Sequence, residues 1–201
     1  EQFEVNVFGL LRATQAFLPW IRPTRGRIVN ISSITGLATP PFLGPYSASK
    51  FAVEAISDAL RRELQQFGCR VVVLEPGPIA TPIWEKNLQR KGSLLAELSP
   101  KLQELYGREL LHFQRGVEKS ARDAVPVERV VTVIEKALTS ANPRTRYVVG
   151  NRALPAAMAL GVILASSSGV LAQFNRNADG WGGTSSRNNS DPKSGVCIYE
   201  D

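Results

Sequence analysis

At 201 residues and 21.9 kDa, the chain is long enough to bury a substantial core without disulfide or metal staples. Its 43% hydrophobic and 21% charged residues exclude a wholly disordered, collagen-like or coiled-coil protein, and Cys69 and Cys197 alone build neither a disulfide framework nor a cysteine zinc site, so reducing cytoplasm is the expected compartment. The net charge of +6 suits an anionic partner such as a phosphate-bearing cofactor, but the arginines are scattered (Arg61 and Arg62, Arg144 and Arg146) without interleaved aromatics, so no nucleic-acid partner is expected.

From Phe3 to Leu18 the residues Phe3, Val7, Leu10, Leu11, Thr14, Phe17 and Leu18 recur at steps of three and four, which predicts one face of a helix ending at or close to Pro19. After a basic turn, RIVNI between Gly26 and Ser32-Ser33 reads as a buried strand. A loop with Gly36, Pro40, Pro41, Gly44 and Pro45 leads to a second helix from about Tyr46 to Phe67, with Phe51, Ala52, Ile56, Leu60, Leu64 and Phe67 on its period and Gly68 as its stop. RVVVLE then runs into PGPIATP; three successive valines without polar alternation mark a strand covered on both faces, as in parallel sheets. Residues 84–119 read as amphipathic helices broken at Gly92 and Ser99-Pro100, an insertion over a site. The single histidine, His112, falls there as an ordinary helix residue; with one imidazole, most zinc sets are removed, and neither a His-activated nucleophile nor a metal site is expected.

Pro126 opens a further helix through about Leu138, with Val127, Val130, Val131, Ile134 and Leu138 inward, and RYVVG is the last strand. The predicted fold is α/β, the second half of a doubly wound parallel sheet. Residues 1–150 form this domain. Residues 151–172 are expected as an apolar C-terminal helix, packed or lying on a membrane surface in preference to spanning one, and residues 173–201 as a disordered tail.

Tyr46 and Lys50 lie one helical turn apart, which sets an ammonium beside a phenol. The preceding strand and loop bring Ser33 toward them, and Asn6 comes from the first helix. This combination suits proton transfer to or from a carbonyl or alcohol oxygen. A phenol ordinarily ionises near pH ~10 and needs a neighbouring cation to favour its anion at neutral pH. Ser33 would hold the reacting oxygen, and Asn6 would fix a water linking Lys50 to solvent. Taken singly, each residue also has a plain structural role: a turn serine, a core phenol, a snorkelling lysine, a surface asparagine.

The segments VNISSITG, PYSASK and LEPGPIATP resemble the second half of a classical short-chain dehydrogenase/reductase. In that family the serine stands thirteen residues before the tyrosine, as Ser33 does before Tyr46, and the helix with VNVFG supplies an asparagine matching Asn6. The resemblance covers about residues 1–150 and implies a partial Rossmann-like sheet. It also implies an NAD- or NADP-dependent oxidoreductase with Tyr46, Lys50, Ser33 and Asn6 as catalytic residues. The cofactor contacts it implies are Tyr46, Lys50 (on the nicotinamide ribose), Pro76, Gly77, Ile79 and Thr81. The wording FGLLRATQAFLPWIR and YSASKFAVEAISDALRREL is closest to hydroxysteroid and retinol dehydrogenase-like members, which implies a lipophilic alcohol or ketone as substrate. Homo-oligomers through helices 1–18 and 46–67 are implied as well. The family's glycine-rich turn and N-terminal cofactor-binding strands precede the asparagine helix and do not occur in these residues. The expectation is therefore either a piece of a longer enzyme or a truncated product; the alternative to an enzyme is an inactive fragment that acts only by helix-mediated association.

Overall fold

The computed structural model describes residues 1–85 and 97–150, all within a unit running Glu1–Pro155. The helix expected over 151–172 and the tail over 173–201 lie outside the described residues, as do Leu94 and Leu95 of the expected insertion. The three β-branched runs form β1 (Arg27–Ile31), β2 (Arg70–Pro76) and β3 (Arg146–Val149). They pair in parallel in the order β1-β2-β3, with Ile28 opposite Val71 and Leu74 opposite Tyr147.

The helices are α1 (Gly9–Ile21), which continues a π-helical turn over Glu4–Phe8, α2 (Gly44–Glu63), α3 (Pro100–Arg122) and α4 (Val127–Thr139). Alternate residues of β2 serve opposite faces of the sheet. Val71 packs with Leu18 and Ile21 of α1, Ile56 and Leu60 of α2, Ile28 and Cys69. Val72 and Leu74 pack with Val130, Val133, Ile134 and Ala137 of α4. None of Val71, Val72, Val73 and Leu74 is more than 2% exposed, and burying each such side chain stabilises the fold by about 1.5–3 kcal/mol. This explains the absence of polar alternation in RVVVLE.

Helix α2 begins with Pro45 in its first turn and carries Arg61 and Arg62 in its last, where positive charge suits the helix dipole. A 3-10 turn over Gln65–Phe67 follows, and Gly68, at φ 72°, reverses the chain into β2.

Several inward faces differ from expectation. The first helix ends close to Pro19, as expected, but runs on to Ile21, because an imino nitrogen in the last turn removes a single bond and the Arg22 N–H still reaches Leu18 O at 3.0 Å. Val7, Thr14 and Leu18 are buried there, while Phe3 and Phe17 are exposed. On α2 the buried face is Val53, Ser57 and Leu60, with Ser47, Ser49 and Glu54; Phe51 and Phe67 are exposed. On α4, Val127, Val131 and Leu138 are exposed, and Val130, Val133, Ile134 and Ala137 meet the sheet. In the insertion, α3 starts at the expected Ser99-Pro100 break and runs to Arg122, with Leu110 buried and Leu102, Leu105 and His112 exposed.

Candidate active site

The chain leaves the C-terminal end of β1 through Ser32 and Ser33, both buried. Ser33 is extended (φ −166°, ψ 160°) and caps the short 3-10 turn Ile34–Gly36, its Oγ accepting the Thr35 N–H at 3.2 Å. The Ser33 hydroxyl also lies 3.5 Å from Pro76 O at the end of β2, the long limit of a hydrogen bond. This turn packs directly on α2. The approach is closest at Gly36, where a Cβ would stand 3.1 Å from Lys50 O and 3.2 Å from Lys50 C, so only glycine lets the serine turn lie this near the helix.

Tyr46 and Lys50, both half-buried, occupy the first turns of α2. Lys50 Nζ lies 5.8 Å from the centre of the Tyr46 ring and donates to Ile31 O at 3.0 Å. Burial pushes the Lys50 ammonium below its ordinary range. Lys50 is thus tied to the end of β1, and its main chain accepts a 3.4 Å hydrogen bond from Ser32 Oγ.

Asn6 sits in the middle of the π-helical turn, an irregularity often found at functional sites because it turns one residue out of the regular helical array. Its Nδ2 donates to Ser49 Oγ at 3.1 Å, and Ser49 Oγ donates to Tyr46 O at 2.7 Å. The asparagine amide is therefore engaged by α2 through a fully buried serine. Sequence reasoning did not single out Ser49; its place between Tyr46 and Lys50 on a helix with a buried polar face is the signal that would have found it.

The expected cofactor loop follows β2. Gly77 N–H donates to Val149 O at 2.8 Å, Val125 N–H to Pro78 O at 3.0 Å and Ala80 N–H to Val125 O at 2.9 Å. Trp84 Nε1 donates to Ile79 O at 2.6 Å. These bonds hold Pro76, Gly77, Ile79 and Thr81 half-exposed beyond the strand ends, where open parallel sheets take ligands. A Cβ on Gly77 would meet Ile34 Cδ1 at 3.7 Å, which places the loop against the Ser33 turn. Phe42, just before α2, packs its ring 5.4 Å from that of Phe113, so α3 contacts the approach to α2. The structure thus brings Asn6, Ser33, Tyr46 and Lys50 to one end of the sheet and sets the Pro76–Thr81 loop beside the Ser33 turn.

Comparison with known proteins agrees with this geometry. The short chain dehydrogenase family matches residues 1–92. The chain is 40% identical over 160 residues to an NADPH-dependent 3-dehydrocapnine reductase of Ornithobacterium rhinotracheale, covering 77% of this chain and 54% of that protein. It is 38% identical over 151 residues to human 17-beta-hydroxysteroid dehydrogenase type 6, covering 73% and 47%. The crystal structure of a short-chain dehydrogenase from Streptomyces avermitilis superimposes with a TM-score of 0.62 at 27% identity, over 89% of this chain and 61% of that one. The chain spans about half the length of the relatives it matches. Over these residues, which carry the parallel half-sheet, the Ser33 turn and the Tyr46–Lys50 helix, the chain is similar to the short-chain dehydrogenase family.

Proposed function

We propose that this chain is the catalytic half of an NAD- or NADP-dependent oxidoreductase that interconverts a lipophilic alcohol and its ketone or aldehyde, with Tyr46 as the proton-transferring group. The observation that carries this reading is the half-buried Tyr46–Lys50 pair, with Lys50 anchored to Ile31 O and packed against the turn that bears Ser33. An ammonium has three N–H donors, and Ile31 O is the one acceptor recorded for Lys50 Nζ among the described residues. The donors that remain fit a ribose diol, so the residues suit a nicotinamide cofactor, held by Lys50 and by the Pro76–Thr81 loop.

When bound, the nicotinamide supplies or accepts a hydride. The chain's own residues manage the proton. Tyr46 Oη gives its proton to the substrate oxygen in reduction and takes one in oxidation, while the adjacent Lys50 charge stabilises the phenolate. Ser33 Oγ, whose recorded acceptor contact at Pro76 O is long, turns its hydroxyl to the same oxygen and orients the substrate. Asn6, through Ser49, fixes the backbone of α2 at Tyr46.

Two features support an apolar substrate: the Phe42–Phe113 contact beside α2 and the exposed Leu102, Leu105, Tyr106 and Leu111 on α3. The hydroxysteroid relative supports it as well. Exposed Phe3 and Phe8 on the first helix and Phe51 on α2 support self-association through helices 1–18 and 46–67. Association is the second reading for a chain that does no chemistry.

The test follows the absorbance of reduced nicotinamide in the full-length protein against steroid-like, retinoid-like, sugar and small hydroxy-acid substrates. Turnover of the bulky apolar compounds is expected. Faster turnover of sugars or hydroxy acids would remove the lipophilic assignment, and failure to bind or consume either cofactor would leave association as the function.

A further inference from the structure

Behind the catalytic pair, α2, β2 and β3 bring together a cluster of charges in which Glu54 and Glu75 are buried while Asp58 and Arg146 are each 35% exposed. Glu54, one turn beyond Lys50 on α2, is 7% exposed, and Glu75, the β2 residue directly before Pro76, is 2% exposed. Arg146 at the start of β3 reaches both: its Nε lies 3.1 Å from Glu54 Oε2 and 3.3 Å from Glu75 Oε1, and its Nη2 lies 2.8 Å from Asp58 Oδ2, a further turn along α2. Asp58 also pairs with Arg61, whose Nε donates to Val71 O at 3.1 Å. The facing element β1 contributes an uncharged pair, Asn30 Nδ2 donating to Ser57 Oγ at 2.8 Å.

Hydrophobic residues of similar volume would hold these elements together without the desolvation cost of the two buried carboxylates, Glu54 and Glu75, so the cluster is not accounted for by stability alone. Its particular property is connection. One guanidinium fork joins two successive turns of the catalytic helix to the strand residue at the root of the Pro76–Thr81 loop, and no other residue does this among the described residues. The cluster is also short of positive charge. Oε1 of Glu54 and Oε1 of Glu75 make no hydrogen bond with the described residues, and burial together with the charge of Glu54 pushes the Glu75 carboxyl up to about 7.

We infer that Arg146 is a positioning residue of the active site: by gripping Glu54, Asp58 and Glu75 at once, it sets the spacing between the Tyr46–Lys50 turn of α2 and the Pro76–Thr81 loop. The inference rests on the functional reading above. Arg146 touches no reacting atom and acts through Lys50, so its effect on the rate must depend on Lys50 being present. Lysine at position 146 keeps the charge but, as a single ammonium on a flexible stem, cannot bridge three carboxylates in a fixed geometry.

The experiment is a double-mutant cycle in the full-length protein. Arg146→Lys, Lys50→Ala and the double variant are compared for kcat/KM at a temperature well below each melting point, with Arg70→Ala as control. Arg70 pairs with Asn142 at the opposite end of β2 on the exposed surface. The expected result is that Arg146→Lys lowers kcat/KM about tenfold or more in the parent but about twofold or less in the Lys50→Ala background, while Arg70→Ala leaves it unchanged. Equal losses in both backgrounds, or no loss in the parent, would overturn the inference while leaving the functional reading intact. A parent that neither binds nor consumes a nicotinamide cofactor would overturn the functional reading, and this inference with it.

Discussion

Among the described glycines, an added methyl group meets its closest contact at Gly36. Its backbone adopts an ordinary conformation, with no positive φ, so Gly36→Ala introduces no backbone strain of its own and its cost is purely one of contact. The new Cβ would stand 2.7 Å from Ser32 Oγ, 3.1 Å from Lys50 O and 3.2 Å from Lys50 C. The serine hydroxyl relieves the first contact by rotating, at the loss of its 3.4 Å bond to Lys50 O. The other two contacts are between the new Cβ and the backbone of Lys50, so either the Ile34–Gly36 turn or α2 must retreat by a few tenths of an ångström. Overpacking of this kind costs about 1–3 kcal/mol, which at roughly 2–4 °C per kcal/mol lowers the melting temperature by about 2–12 °C. The retreat occurs at Lys50, so cofactor affinity and kcat should fall with it. Thermal and urea denaturation followed by circular dichroism measure the first effect, and cofactor titration of the folded variant the second. Gly44→Ala is the control: nothing lies within 4 Å of a Cβ there, and a change within about 0.5 kcal/mol is expected. A Gly36→Ala protein that melts with the parent and binds cofactor equally would refute the close packing of the serine turn on α2.

Glu75→Gln tests the charge cluster through pH. With its folded carboxyl at about 7, above an ordinary value of 4.5, the folded parent holds a proton that the unfolded chain releases, so this group's contribution to stability falls as pH rises from about 4.5 to 7 and is level above that, by at most about 3 kcal/mol. Glutamine removes the slope, so denaturant midpoints between pH 5 and 8 should decline less in the variant; parallel profiles would contradict the assignment. Asp58, held low chiefly by its hydrogen bond to Arg146, gives the opposite dependence, lost as pH falls below the ordinary carboxylate range, and so does not mask the effect in that window. Ser49→Ala, which removes the acceptor for Asn6 Nδ2, should destabilise by about 1 kcal/mol and lower kcat. In this background Asn6→Ala should cost little more, whereas fully additive losses would place Asn6 elsewhere.

The strands and the proximity of Lys50 to the Tyr46 ring were legible because each depends on local pattern. RIVNI, RVVVLE and RYVV are β-branched runs bounded by turn residues, and the Tyr46–Lys50 spacing is a single helical turn. The helix faces were less legible. Apolar spacing reports a helical period but not which neighbour covers it, so Phe17, Phe51, Val131 and Leu138 were placed inward and are exposed. On α2 the inward places go in part to polar residues that find partners on the sheet, as Ser57 does with Asn30 of β1, and on α4 they go to other apolar residues, among them Val133 and Ala137. The cluster around Arg146 was hidden for a related reason. Glu54 and Asp58 on α2 resemble the solvated charges of any amphipathic helix, and their partner lies 92 and 88 residues away. Only the parallel register of β3 on β2, with Arg146 opposite Val73, brings that guanidinium beneath α2.

The central claim is that the Tyr46 hydroxyl transfers the proton while other groups hold the cofactor. Tyr46→Phe deletes one oxygen and keeps the ring beside Lys50, so it separates the two roles. In the full-length protein, single-turnover oxidation of reduced nicotinamide and a fluorescence titration of the same cofactor are measured on parent and variant. The account predicts that turnover falls by a factor of at least about a hundred with the cofactor dissociation constant within about threefold of the parent. Turnover retained within a few-fold of the parent would contradict it and assign the proton to another group.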